Sequence, residues 1–334
     1  MSYGQSYKKI INKNNNKFMS SYFIKSPKGS AFKELLKWLL TPLQACTSSL
    51  LVLLQKKSEK EYKYEVSICG LFKNEGRFLK EWLDFHIAVG VDHFYMYNNN
   101  SDDNYLDILN EYIEKGIVDL IDWPQKFPQM PAYKHCFDNR KNESKWIGYI
   151  DIDEFVCPKF ESNIKKWLVK YSKYPSVLLY WKVFGTSGVL AHDDNRLVIE
   201  QYTSCYDKPT TFSKLFINTK FNFVTFKSPH ILYASINFFG IPLYIPPVNE
   251  YKKFICFGLH RVPFFKKGIS IQINHYWSKA YDIFIYNKTV RSDVFSEENE
   301  KYDKYSLLEP SENLCIDKDY TIQRFLLKIK LMNK

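Results

Sequence analysis

Between residues 66 and 121, short apolar runs of strand length alternate with longer segments of helical period. Residues 66–72, 93–97 and 117–121 are rich in β-branched and aromatic side chains and read as buried strands. Phe78, Trp82, Leu83, Phe85 and Val89 recur at helical spacing between the first two, and Gly90 stands where that helix should stop. Leu106, Leu109, Tyr112 and Ile113 repeat the pattern before Gly116. A β-α-β-α-β order with short turns predicts an α/β fold, a mostly parallel doubly wound sheet with flanking helices. Right-handed crossovers then gather the loops after the strands on one edge of the sheet.

Three polar loops fall on that edge. They are Lys73-Asn74-Glu75, residues 98–103, and the acidic end of Trp146-Ile147-Gly148-Tyr149-Ile150-Asp151-Ile152-Asp153-Glu154-Phe155. The last stretch is a short apolar strand that ends in three carboxylates within four positions. Residues two apart on a strand point the same way, so Asp151 and Asp153 are expected to project together from its carboxyl end. Such a pair suits a hard divalent cation that keeps some water and grips substrate phosphates. An acidic turn capping the next helix is the competing reading. Neither a Gly-x-Gly-x-x-Gly nor a Gly-Lys-Ser/Thr sequence is present, which sets aside dinucleotide folds and P-loops.

The 334 residues carry a net charge of +11, which calls for an acidic partner such as anionic lipid or nucleotide phosphates. No nucleic-acid reader motif accompanies the charge, so nucleic acid is not expected as a partner. Seven scattered cysteines without a C-x-x-C pair make neither a disulfide framework nor a zinc site, and fit a reducing cytoplasm.

Residues 1–60 read as a basic leader in which 32–54 are apolar but interrupted by Pro42, Gln44, Thr47, Ser48 and Ser49. Lysines flank this segment, as suits a helix lying on an anionic membrane. A helix packed on the protein's own core is the equal alternative, and a single-span anchor near residues 35–54 is the third. The expected location is cytoplasmic, peripheral at the inner face of the membrane. Beyond Glu154, β-signal dominates, with a strand over 176–184 and hairpin-like segments over 197–202, 215–218 and 221–226. A strand-like run over 271–276 and a helix over 278–291 follow. Residues 293–334 read as a charged linker and a basic amphipathic helix over 320–331.

The ordered set of motifs resembles a known family. It comprises Lys73-Asn74-Glu75, Glu81-Trp82, Gly90-Val91-Asp92-His93-Phe94, Tyr97-Asn98-Asn99-x-Ser101-x-Asp103, Asp151-x-Asp153-Glu154-Phe155, Phe184-Gly185-x-Ser187-Gly188 and Asn274-His275-Tyr276. Together these are similar to the family-92 glycosyltransferases and related family-2-like enzymes, over residues 64–292. The resemblance implies a GT-A fold over 61–292 with a β-rich acceptor half. It further implies a nucleotide-sugar donor, manganese or magnesium at the D-x-D, and inverting transfer of a galactose-like hexose. The late helix departs from the family pattern at Ser278-Lys279-Ala280 and Arg291-Ser292.

On this resemblance Asp151, Asp153 and His275 are the expected metal ligands. Lys73, Asn74, Glu75, Arg77, Asn98, Asn99, Ser101, Asp102, Asp151 and Lys279 are expected at a UDP-linked donor. Trp181, Phe184, Gly185, Ser187 and Gly188 are expected around a glycan or glycolipid acceptor. Glu154 is the expected general base, with a supporting role behind the metal ligands as its alternative. Nucleotidyl transfer is a competing function, but it would need a third acidic cluster or a glycine-rich phosphate loop. A non-enzymatic basic protein binding membrane or nucleic acid is the other.

Overall fold

The computed structural model describes residues 31–55, 60–126, 128–210, 212–228, 231–256, 268–287 and 305–332. The leader over 1–30 and the Arg291-Ser292 pair lie outside the described residues. A helix α1 (Ala31–Leu54) precedes the sheet. Strands β1 (Tyr64–Phe72), β2 (His93–Asn98) and β3 (Val118–Asp122) alternate with α2 (Gly76–Ala88) and α3 (Tyr105–Glu114), as the periodicity requires. After α4 (Gln129–Arg140), β4 (Ser144–Tyr149) lies parallel to β1 on the side away from β2. Reversal of strand order on either side of β1 opens a crevice at the carboxyl ends of these strands.

The second half adds β5 (Glu154–Pro158), α5 (Ile164–Leu168), β6 (Ser176–Val183), α6 (Val198–Gln201), β7 (Ser204–Cys205) and β8 (Ser213–Asn218). Then come β9 (Phe223–Ser228), β10 (Ile231–Phe238), β11 (Ile241–Ile245), β12 (Ile271–His275) and α7 (Tyr281–Ile285). The chain closes with α8 (Tyr305–Glu312), β13 (Asp317–Lys318) and α9 (Leu326–Met332). Eight strands form one sheet in the order β3-β2-β1-β4-β8-β6-β12-β5, in which β4/β8, β8/β6 and β12/β5 are antiparallel and the other pairs parallel. Strands β9, β10 and β11 form a separate small sheet, and α1 lies against β11.

Both faces of the large sheet are covered. Helix α2 packs against α3, β5 and α9, while α4 packs against β1, β4 and β9. Trp82, Phe85, Trp146 and Phe155 are fully enclosed between these layers, each contributing about 1.5–3 kcal/mol by burial. The C-terminal segment joins this core: Ile322, Phe325 and Ile329 are buried, and Phe325 meets the Phe85 ring edge-on at 5.7 Å between centroids.

Residues 197–202 are not the hairpin-like strand expected from sequence. They carry the short helix α6, because the Glu81 carboxylate caps its start, accepting from the backbone N–H groups of Val198 (2.7 Å) and Ile199 (3.1 Å). The segments over 215–218 and 221–226 do not pair with each other. The first belongs to β8 in the large sheet, the second to β9 in the small one.

Candidate active site

Strand β4 ends at Tyr149, and residues 151–153 form a turn into β5. The turn is closed by the Glu154 N–H donating to the Asp151 carbonyl at 3.1 Å. Strand β5 runs antiparallel to β12 with Glu154 opposite His275, so the turn is brought beside the end of β12. There the Tyr276 N–H donates to the Asp153 carbonyl at 2.8 Å. The Asp153 carboxylate lies 3.4 Å from His275 Nε2. Trp181 of β6 covers the imidazole, with ring centroids 4.2 Å apart.

The expected pair of ligands, Asp151 and Asp153, is held by two different sets of partners. The expectation rested on strand alternation, which does not hold in a turn. Both oxygens of Asp151, whose side chain is 33% exposed, are hydrogen-bonded within the protein. One accepts from Lys214 Nζ at 2.7 Å, the other from Gln129 Nε2 at 3.1 Å and the Tyr133 hydroxyl at 3.0 Å. Glu154 is sealed off completely: its side chain is 0% exposed. One of its oxygens accepts from the Asp151 N–H at 3.0 Å and lies 3.5 Å from Lys214 Nζ, and the other has no hydrogen-bond partner. Burial pushes its carboxyl well above the usual range, with Lys214 opposing. A side chain so enclosed cannot meet an acceptor hydroxyl, so the assignment of Glu154 as general base is withdrawn.

Two donors remain for a divalent cation, the Asp153 carboxylate and His275 Nε2. The carboxylate is 25% exposed, whereas the imidazole is buried, at 8%. His275 Nδ1 is buried without a hydrogen-bond partner. No group of three or more His, Cys, Asp or Glu side chains converges among the described residues. One carboxylate with one imidazole fits manganese or magnesium that completes its shell with water and phosphate oxygens. It does not fit a closed protein cage.

The donor-side residues lace two edge loops together. The Asn74 N–H donates to Ser101 Oγ (2.9 Å), and Asn74 Oδ1 accepts from the Asp102 N–H (2.9 Å). Asn74 holds φ at 51°, where asparagine is tolerated. Asn98 Oδ1 accepts from the Ser101 N–H, and Asn98 Nδ2 donates to Asp122 at 3.2 Å. Asn99 Nδ2 reaches the carbonyls of Trp123 (2.8 Å) and Gln125 (3.0 Å). Glu75 is buried at the start of α2, while Lys73 is half-buried in the same loop. Arg77 pairs with Asp194 at 2.5 Å, and the Lys279 ammonium sits 4.5 Å from the Phe78 ring centroid.

The acceptor-side residues divide. Trp181 stays with His275, whereas Phe184 is buried against Tyr276. Ser187 Oγ accepts from the N–H groups of Thr203 (2.8 Å) and Ser204 (2.9 Å). Gly185 is covered by the C-terminal segment: a Cβ there would stand 2.5 Å from Glu312 Oε1 and 2.7 Å from Cys315 Sγ. Gly188, at φ 77°, faces open space. Lys214, Gln129 and Tyr133 escaped sequence reasoning. Lys214 sits in an apolar strand, and no local pattern links it to Asp151, 63 residues away.

Residues 62–256, more than half of the chain, match the model of the family described as Glycosyltransferase family 92. A glycosyltransferase family 92 protein of Ricinus communis is 30% identical over 146 residues, 40% of this chain and 25% of that protein. One from Oryza sativa subsp. japonica is 31% identical over 115 residues, 34% of this chain and 20% of that protein. The chain therefore spans a quarter or less of the curated relatives it matches. Among solved structures, S. aureus TarS 1-349 is similar at 11% identity and a TM-score of 0.33, over 46% of this chain and 47% of that one.

Proposed function

Because the chain belongs to glycosyltransferase family 92, we propose that it transfers a hexosyl unit, galactose-like, from a UDP-linked donor to a glycan or glycolipid hydroxyl, with inversion. The observation that carries this reading is the meeting of Asp153 and His275, 3.4 Å apart, at the carboxyl edge of the sheet. These two residues would hold manganese or magnesium. When bound, the ion offsets charge on the leaving diphosphate. Trp181 supplies a rigid wall beside His275 and fixes the imidazole plane. The laced loops of Asn74, Asn98, Asn99, Ser101 and Asp102 fix the rim where the nucleotide would sit. With Glu154 enclosed, the exposed Asp193, Asp194 and Asp207, which follow the Gly185 loop in the sequence, are the candidates to take the acceptor proton.

The test is manganese titration by calorimetry, together with hydrolysis of a panel of nucleotide sugars. The wild-type protein should bind manganese and hydrolyse one UDP-sugar. Asp153→Asn and His275→Ala should lose both while retaining the native circular dichroism. Full turnover by Asp153→Asn in excess chelator would falsify the reading.

Helix α1 supports peripheral attachment to an anionic membrane. Leu35, Leu39, Leu43, Leu50 and Leu53 are all more than half exposed. Its residues Leu35–Leu54 are apolar and long enough to cross a membrane by length and composition. Deleting residues 1–54 should abolish sedimentation with phosphatidylserine vesicles and leave turnover on a soluble acceptor intact. Unchanged sedimentation would rule this attachment out.

A further inference from the structure

Lys214 is the most enclosed cation near the candidate site, with its side chain 0% exposed. Lysine is almost never fully buried unless paired. Here a single ammonium stands between two carboxylates, 2.7 Å from Asp151 and 3.5 Å from Glu154. Both carboxylates bracket Asp153, one on each side of the turn that carries it. Strand β8, which carries Lys214, enters the sheet antiparallel between β4 and β6. The ammonium therefore approaches the turn from within the sheet and holds Asp151 and Glu154, while Asp153 meets His275.

We propose that Lys214 is a positioning residue that sets the ligand count of the metal site. Its ion pair keeps the Asp151 carboxylate, though 33% exposed, engaged within the protein, so that Asp153 and His275 bind the cation alone. Gln129 and Tyr133 complete the capture by donating to the other oxygen of Asp151. The consequence is electrostatic. A cation held by one carboxylate and one neutral imidazole keeps most of its positive charge for a diphosphate. A second carboxylate would bind the ion more tightly but blunt its pull on the substrate. The inference rests on the metal reading of Asp153 and His275, and deepens it.

Removing the ammonium without removing volume frees Asp151 to turn toward the cation. Lys214→Met should therefore tighten manganese binding, by about 10-fold, the scale on which changes beside a ligand set alter affinity. Its kcat should fall by a similar factor, with KM for the donor raised. Adding Asp151→Asn to Lys214→Met should return manganese affinity to the wild-type value, because the amide needs no counter-charge and is a poor ligand. Lys214→Arg, which keeps the charge, should retain wild-type affinity. A purely structural lysine predicts the opposite sign, with weaker manganese binding in Lys214→Met and no recovery in the double variant. That outcome overturns the proposal.

If Lys214→Met does not fold, Asp151→Asn alone decides. It should bind manganese within about 3-fold of wild type, well inside the 10–100-fold range of a supporting residue. Loss as complete as in Asp153→Asn makes Asp151 a ligand and overturns the proposal, while leaving the metal reading standing. Absence of manganese binding by the wild-type protein overturns the metal reading, and this proposal with it.

Discussion

The indole N–H of Trp82 donates to two backbone carbonyls at once, Asp151 at 3.0 Å and Glu154 at 2.9 Å. These carbonyls flank the turn that presents Asp153, so a helix on one face of the sheet clamps the loop at its edge. Trp82→Phe keeps most of the buried ring and removes the donor. It takes that partner from the Glu154 carbonyl, while the Asp151 carbonyl keeps the Glu154 N–H, at a cost of about 1–3 kcal/mol for such a group. We expect a lower urea midpoint and a manganese affinity reduced by about 10-fold. A variant that loses stability but binds manganese normally would separate the clamp from the site.

Glu154 gives a second prediction. A catalytic base usually accounts for about 10²–10⁴-fold in rate, but this carboxylate touches only the Asp151 N–H and the Lys214 ammonium. Glu154→Gln should keep kcat within about 10-fold of wild type. Its effect should appear in thermal stability. Turnover measured at saturating manganese checks it, and a loss of a thousand-fold or more would restore Glu154 to the base's role.

At Gly185 the space for a side chain is already occupied. The Thr186 N–H and hydroxyl each donate to Glu312 at 2.8 Å, which draws that carboxylate over the glycine. Gly185→Ala forces the two apart and should destabilise the protein by about 1–3 kcal/mol. Amide hydrogen exchange over residues 305–319 should accelerate before the rest of the sheet does. Protection there equal to wild type would mean that the Glu312 clamp does not hold the segment.

His86 sets an acid limit on stability. Its ring donates from Nδ1 to the Trp82 carbonyl at 2.8 Å and accepts at Nε2 from the Val156 N–H at 3.3 Å. Only the neutral imidazole can do both, and burial lowers its pKa to about 3 from the usual 6.5. Between those values the unfolded chain binds a proton that the native chain refuses. Stability is therefore complete above the usual value and falls as pH drops below it. Relative to His86→Gln, unfolding of the wild type near pH 5 should take up about one extra proton. Equal slopes of urea midpoint against pH in the two proteins would contradict this.

The alternation of strand and helix from β1 to β3 was legible because each element announces itself by its own period. Asp153 and His275 stand out in the sequence because each follows or closes an apolar run, and the structure places them 3.4 Å apart. The partners of Asp151 were not legible, because they come from α4 and β8 and the strand rule stops at Tyr149. Residues 197–202 failed for a related reason: the apolar run Leu197-Val198-Ile199 fits a strand, but a carboxylate from α2 caps it as a helix.

The sequence alone determined a parallel α/β sheet with its polar loops on one edge, because side-chain period and turn residues act over a few positions. Tertiary structure decided what each of those carboxylates meets. Strand β8 inserts antiparallel beside β4 and brings Lys214 to Asp151, while β5 turns back along β12 and brings Asp153 to His275. Those pairings join residues 63 and 122 positions apart, as the residue numbers give directly. They depend on which strands share backbone hydrogen bonds, a choice made by the whole buried core and not by any local pattern.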